Sequence, residues 1–249
     1  RFTLAALTLV WFVPIPRGQL RKIFWISFVG STLQYGMTFT GLSMLDASLA
    51  IIIIHLEVPF SVLLAAIVLK DKPRSQRILG MLISFAGIVL IAGQPSLREQ
   101  LPAILLTAAG AMTWAVGQIM VKRLENPPSG FALTAWIGVF SGPQMILGSF
   151  MFEDSQWESL SNASWIGWGV ILYLALIMTV LGYGIWYHVL SRNHVSKVMP
   201  VMLLLPVFTI ASSMLFLGEE PSPMIFIGAA VAIGGVSMIV ITKDSKLTS

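Results

Sequence analysis

"LKDKPRSQRILG" (69–80) and "LGEEPSPMIFIG" (217–228) read as one connector written twice, once with bases and once with acids. Leucine, proline and glycine coincide at 69/217, 73/221 and 80/228, an ungapped offset of 148 positions. The match extends in both directions and pairs residues 35–93 with 183–241. Tyr35 meets Tyr183, Gly36 meets Gly184, Leu42 meets Leu190, Ser43 meets Ser191, Ser48 meets Ser196, Phe60 meets Phe208, Gly87 meets Gly235 and Ile91 meets Ile239. Shared greasiness does not account for glycines and prolines that coincide, because these residues are placed by backbone geometry. Two similar helical hairpins without functional meaning would carry the same identities. Opposite charge on twinned connectors instead puts the two copies on opposite faces of a membrane, as happens when each repeat has an odd number of helices.

Composition requires the membrane. Of 249 residues 56% are hydrophobic and 10% charged, with a mean hydropathy of +0.86, whereas a soluble domain carries roughly a quarter charged residues. Windows bounded by charge, Pro and Gly give nine candidate spans, at about 2–14, 23–44, 48–69, 76–93, 101–121, 131–152, 165–188, 195–217 and 223–242, each to be measured against the about twenty residues that cross about 30 Å of hydrocarbon. Short connectors predict antiparallel neighbours in one bundle with no separate soluble domain.

Connector charge alternates. Arg17/Arg21/Lys22, Lys70/Lys72/Arg74/Arg77, Lys122/Arg123, Arg192/Lys197 and Lys243/Lys246 fall on one side and account for 13 of the 15 basic residues. Asp46, Arg98/Glu99, Glu153/Asp154/Glu158 and Glu219/Glu220 fall on the other, with Arg1 at its border. The positive-inside rule makes the basic side, and with it the C-terminus, cytoplasmic. The net charge of +4 is a topology signal and not a nucleic-acid one, since the bases form no stripe or arm.

The second copy holds five helices and the first four, so the repeat predicts a further helix roughly 35–50 residues upstream of Arg1 by offset less an allowance for loops. Ten helices with both ends cytoplasmic are the expectation for an intact chain; no signal peptide is read before the first apolar run. The fold class is therefore an all-α integral membrane bundle of two inverted five-helix repeats, nine helices of which are present, the first repeat at 1–94 and the second at 95–249.

With no cysteine, disulfides, thiolate metal sites and cysteine nucleophiles are excluded. No phosphate loop, nucleophile motif or metal constellation appears, so no metal or cofactor is expected, and primary ATP-driven transport finds no support. "NAS" at 162–164 matches a glycosylation pattern too common to use alone.

Glu57 is the one carboxylate deep in a span. An ionised group at that depth costs a few kcal/mol or more, so it should face the interior, be paired or be protonated. It can anchor a substrate ammonium or exchange a proton; equally it can be a protonated structural acid bonded to Ser61. Its repeat partner is Leu205. His55, two residues away, points elsewhere on a helix and is either a proton relay or a packing histidine. Pro59, Pro200 and Pro206 each remove a backbone hydrogen bond inside a span, as a hinge of a moving helix or as a static kink. Gly80/Gly228 and Gly87/Gly235 read as close-packing sites. Three polar and aromatic stripes remain: Thr179, Tyr183 and Tyr187; Trp114 and Gln118; Ser31, Gln34, Tyr35 and Thr38. They would line a central cavity for a small zwitterion, although Tyr and Trp near span ends also serve as interface anchors.

"AMTWAVGQIMVKR" (111–123), "VLGYGIWYHVLSR" (180–192), "KVMPVMLLLPVFTIASSMLFLGEEP" (197–221) and "HLEVPFSVLLAAIVLKDKP" (55–73) are similar to segments of the EamA family of the drug/metabolite transporter superfamily, and within it resemble the O-acetylserine/cysteine exporter branch. The resemblance covers essentially the whole chain. It departs at 55–57, where that branch carries amides, and at the family's first helix, which helps line the pathway and is absent here. The resemblance implies a secondary transporter in a bacterial inner membrane, an exporter of amino acids or related small metabolites, proton-coupled through Glu57 or driven by the substrate gradient. Its partners would be a small-molecule substrate and the lipid bilayer, with a homodimer allowed. A drug, lipid or sugar-nucleotide carrier is the alternative on the same scaffold; an intramembrane enzyme or a channel is the alternative of another class.

Overall fold

A computed structural model describes residues 1–45, 47–71, 73–92, 101–154, 156, 161–217 and 223–241. Asp46, Lys72, Arg98, Glu99, Glu158, Glu219, Glu220, Pro221, Lys243 and Lys246, named above, lie outside the described residues. Among the described residues there is no strand, and each expected span corresponds to a helical run. The runs are α1 (Phe2–Phe12), α2 (20–42), α3 (47–68), α4 (Ser75–Ala92), α5 (Leu101–Lys122), α6 (Gly130–Phe152), α7 (Trp165–Arg192), α8 (195–217) and α9 (Pro223–Ile241). Five of them, α5 to α9, are long and apolar enough to cross a membrane. Of the others, α1 is short, α3 is interrupted at His55–Leu56, and α2 is diluted by Ser27, Ser31, Thr32, Gln34 and Thr38.

Local chemistry sets the ends. Ser129 caps α6 by accepting from Ala132 N at 3.2 Å, and Ser164, the serine of the "NAS" triplet, caps α7 by accepting from Gly167 N at 3.1 Å. Pro59 has no proton for the His55 carbonyl one turn back. Val58 N–H donates to that oxygen instead, at 3.2 Å, and Leu56 N–H donates to Ile53 O at 3.2 Å, so the chain tightens to three-residue turns at the break. Leu205 N–H likewise turns back to Met202 O ahead of Pro206, closing the 3₁₀ stretch Met199–Leu204, which has Pro200 in its first turn. A further proline, Pro143, lies inside α6 and was not marked in the sequence.

The chain forms two compact units, Arg1–Leu33 with Val116–Asn193 and Gln34–Ala115 with His194–Ser249. Each draws helices from both sequence halves. In the first unit α2 crosses α5 with backbone touching backbone: a Cβ on Gly117 would lie 2.5 Å from Gly30 Cα. Lys122 Nζ donates to the carbonyls of Leu190, Ser191 and Asn193 at 2.9, 3.0 and 2.7 Å, capping the end of α7. Gln19 Nε2 donates to Glu125 O at 2.7 Å. The connectors bearing Arg17–Lys22, Lys122–Arg123 and Arg192 thus share one end of this unit.

In the second unit α4 packs antiparallel on α9. A Cβ on Gly80 would lie 2.7 Å from Gly235 O, a Cβ on Gly87 would lie 2.6 Å from Gly228 O, and between them the Ser84 hydroxyl donates to Ala232 O at 3.1 Å. Lys70, with φ of +57°, turns Asp71 towards the start of α8. There the Asp71 carboxylate accepts from Ser196 N and Oγ at 3.1 and 3.0 Å and pairs with His194 Nδ1 at 3.2 Å, while Arg77 Nη1 donates to Ser196 Oγ at 3.4 Å. Basic connectors again meet at one end.

Large apolar side chains stand on the outside, among them Trp11, Phe12, Phe152, Trp165, Phe216 and Ile241, each more than three-quarters exposed. In water such a surface would aggregate; in lipid it is the solvated face. Gly87→Val drives a side chain into the α9 backbone and should lower stability by about 1–3 kcal/mol, whereas Gly36→Ala, where a Cβ meets nothing within 4 Å, should be neutral or stabilising. Thermal unfolding midpoints in detergent check both.

Candidate functional site

Two helices of the first unit leave α geometry in mid-span. α2 contains the π segment Phe28–Leu33 and α7 the π segment Leu174–Tyr183. Each wider turn rotates the following residues on the helix surface and is a recurrent feature of functional sites. In α7 the Thr179 hydroxyl donates to Leu174 O, five residues back, at 2.8 Å.

Both segments line one cleft. Gly30 and Ser31 come from the first, Thr179 and Tyr183 from the second, and Tyr187 follows one turn on. Thr134 and Ile137 of α6 and Phe2 of α1 complete the wall. The cleft is narrow and partly open to the outside, with room for about one water molecule. Ser31, Thr134 and Thr179 are buried, as is Tyr187. The lining therefore holds five hydroxyl groups, two of which, Thr134 and Thr179, give their protons to main-chain carbonyls and face the cleft only as acceptors, and no carboxylate, amine or guanidinium. Such a wall suits a small polar molecule without net charge, since nothing in it would balance an unpaired ion.

Of the residues marked in the sequence, Tyr183, Tyr187, Thr179 and Ser31 are brought together here. Gln118, buried in the same unit, accepts from Trp186 Nε1 at 2.9 Å and does not line the cleft. Gln34, Tyr35, Thr38, His55, Glu57 and Trp114 belong to the second unit. There Gln34 Nε2 donates to Thr38 Oγ1 at 3.2 Å, Tyr35 stacks on Phe39 with ring centroids 5.4 Å apart, and Trp114 is buried. Glu57 is the first residue of the resumed half of α3 and is 8% exposed, while its repeat counterpart Leu205 is 49% exposed. Ser61 Oγ, the partner suggested by spacing, is buried without a hydrogen bond. His55 is buried in the break, its carbonyl holding Val58 N–H. Thr134, Ile137, Gly30 and Phe2 were not legible as site residues. Thr134 is a lone hydroxyl in an apolar run, bonded to Gly130 O at 2.9 Å, and only packing reveals where it faces.

A bundle of apolar helices, interrupted at depth and enclosing a small polar cleft, defines a membrane transporter. The chain belongs to the EamA-like transporter family, whose model matches residues 1–93 and 101–241. It is 29% identical over 95% of its length, and over 82% of the relative's, to a probable amino-acid metabolite efflux pump of Salmonella typhimurium, and 27% identical with the same coverage to its namesake in Escherichia coli. A solved crystal structure shares the fold, with a TM-score of 0.82 at 20% identity over 95% of this chain and 83% of that one. The family is one of transporters and not of enzymes, and its members are multi-pass membrane proteins handling small molecules in lipid.

Trp186→Phe strands the buried Gln118 carbonyl and should cost about 1–3 kcal/mol of stability. Adding Gln118→Leu removes the stranded acceptor and should recover part of that loss. Unfolding midpoints of the single and double variants test the pair.

Proposed function

We propose that this protein is a secondary exporter of amino acids or related small metabolites, working by alternating access between two inverted repeats at 1–94 and 95–249. The substrate reading is carried by one observation, the likeness over 95% of the chain to proteins named probable amino-acid metabolite efflux pumps. The charge-free, hydroxyl-lined cleft agrees with a zwitterion or another small molecule of zero net charge. The repeat reading is supported by the α4–α9 contact. An offset of 148 carries Gly80 onto Gly228 and Gly87 onto Gly235, so the contacts Gly80–Gly235 and Gly87–Gly228 exchange with each other, and the bond Ser84–Ala232 joins two equivalent positions.

Glu57 is the coupling group. It is buried at the break of α3, where an ionised carboxylate is costly and a protonated one is not. Its proton exchange with the outer face would drive export. By likeness to the exporter branch for O-acetylserine and cysteine, substrates of that size are the first to try. The bacterial inner membrane is the site of action, with basic connectors and C-terminus cytoplasmic. Pro59, Pro200 and Pro206 let α3 and α8 bend, and a homodimer is compatible with the scheme.

Inverted vesicles, with the full chain reconstituted so that the original outer face lines the lumen, test this directly. Uptake of at least one labelled zwitterionic amino acid should exceed that of protein-free vesicles and rise when the lumen is made acidic, because protons then leave in exchange for substrate. Glu57→Gln, which cannot carry a proton, should keep the fold and lose the stimulation. No uptake across the amino-acid panel would sink the substrate reading, and an unchanged response to pH in the variant would sink the coupling role. Within the cleft, Thr179→Val removes one hydroxyl and should lower the uptake rate by about tenfold, the equivalent of a single hydrogen bond of about 1.4 kcal/mol.

A further inference from the structure

The hydroxyls of the cleft are not equivalent. Thr134 Oγ1 donates to Gly130 O at 2.9 Å, and Thr179 Oγ1 donates to Leu174 O at 2.8 Å. A hydroxyl has one proton to give, so each of these oxygens turns only lone pairs to the cleft. Ser31, buried on α2, has a hydroxyl that can accept as well as donate. Oxygens from three helices, α6, α7 and α2, therefore meet one cleft, and two of them are fixed as acceptors.

Size narrows the choice of partner. Room for about one water molecule admits a group of about that size. A primary ammonium is such a group, a single nitrogen with three N–H donors and no lone pair. A carboxylate is larger, brings only acceptors, and would set its lone pairs against those of Thr134 and Thr179. The two tyrosine rings in the same wall also suit a cation better than an anion. A water would bring two protons to the three oxygens, whereas an ammonium brings one for each. Alone, an ammonium would be an unbalanced charge in the cleft; in a zwitterion its own acid group balances it from the open side.

We propose that the substrate binds by its ammonium group, whose three N–H groups donate to Thr134 Oγ1, Thr179 Oγ1 and Ser31 Oγ, while its acid group stays at the open side without a fixed partner. This rests on the amino-acid reading above and names the end of the molecule that the site reads. Selection then falls on the nitrogen. An N-methyl group removes a donor and exceeds the room, whereas exchanging one acid for another changes little.

Four small zwitterions separate the two ends. Glycine, sarcosine and N,N-dimethylglycine lose one N–H at each step, and aminomethanesulfonate keeps the ammonium of glycine but not its carboxylate. Calorimetric titration of the full chain in detergent should give sarcosine about tenfold weaker than glycine and N,N-dimethylglycine weaker again, one charge-assisted hydrogen bond being lost each time, with the sulfonate within about threefold of glycine. Thr134→Val and Thr179→Val should each weaken glycine by about tenfold and bring it within about threefold of sarcosine, since two acceptors serve two donors as well as three. Thr134→Ser and Thr179→Ser put the acceptor back and should restore most of what valine loses; either position decides if the other fails to fold. No binding of glycine, equal binding of glycine and N,N-dimethylglycine, loss of binding with the sulfonate, or a lead of glycine over sarcosine that survives the valine variants overturns the proposal. Any of these results beside uptake of amino acids in the vesicle assay would sink the ammonium site and leave the export reading. No uptake across the panel, beside the expected nitrogen series and its collapse in the valine variants, would sink the export reading and leave the ammonium site.

Discussion

Backbone groups in hydrocarbon have no water to bond, and each one left alone costs several kcal/mol. The interruptions in these helices follow from that constraint. Where Pro59 cannot donate, Val58 N–H turns to the His55 carbonyl; where Pro206 cannot, Leu205 N–H turns to Met202 O. The prolines stand one place apart in the repeat comparison, yet the repair is the same: the residue before each proline bonds the carbonyl that the proline would have served. The cost of the break is thereby kept small, and a helix interrupted at depth becomes tolerable. The break makes Glu57 the first residue of a new helical segment, buried, in a span that otherwise reads as solid hydrocarbon.

Lipid tails are as apolar as leucine, so greasiness gives these helices little reason to choose one another. Close contact does. Gly30 on Gly117, Gly80 on Gly235 and Gly87 on Gly228 bring backbones within van der Waals reach, leaving no room for a side chain. Ser84 and Lys122 add bonds to carbonyls of neighbouring helices. At the ends, Asp71, in the connector with Lys70, Arg74 and Arg77, bonds the start of α8, where its carboxylate meets Ser196 N–H and His194. This carboxylate among bases is thus a helix cap.

Much of the fold was legible. The spans were, because a run of apolar residues long enough to cross a bilayer has few alternatives, and so were the close-packing glycines. The site was legible in part. Ser31, Thr179, Tyr183 and Tyr187 announced themselves as polar or aromatic residues at helical spacing in apolar runs. Trp114 and Gln118 had the same signature, but Gln118 bonds Trp186 and Trp114 is packed. Spacing along one helix says which residues share a face; it does not say what that face meets. Thr134 and Ile137 could not be found at all, because α6 carries no stripe to mark them.

By itself the sequence determined that this chain lives in a membrane, about where its apolar spans fall, and which residues recur at an offset of 148. These depend on local composition and on repetition, both of which are one-dimensional. Only the tertiary structure decided that α2 and α7 widen into π turns at Ser31 and Thr179, that these turns face one cleft, and that Glu57 is buried without Ser61 as its partner. A π turn differs from an α turn by one residue of register, and which carbonyl a hydroxyl meets depends on the neighbour packed against it. Neither is written in the order of residues along a single helix.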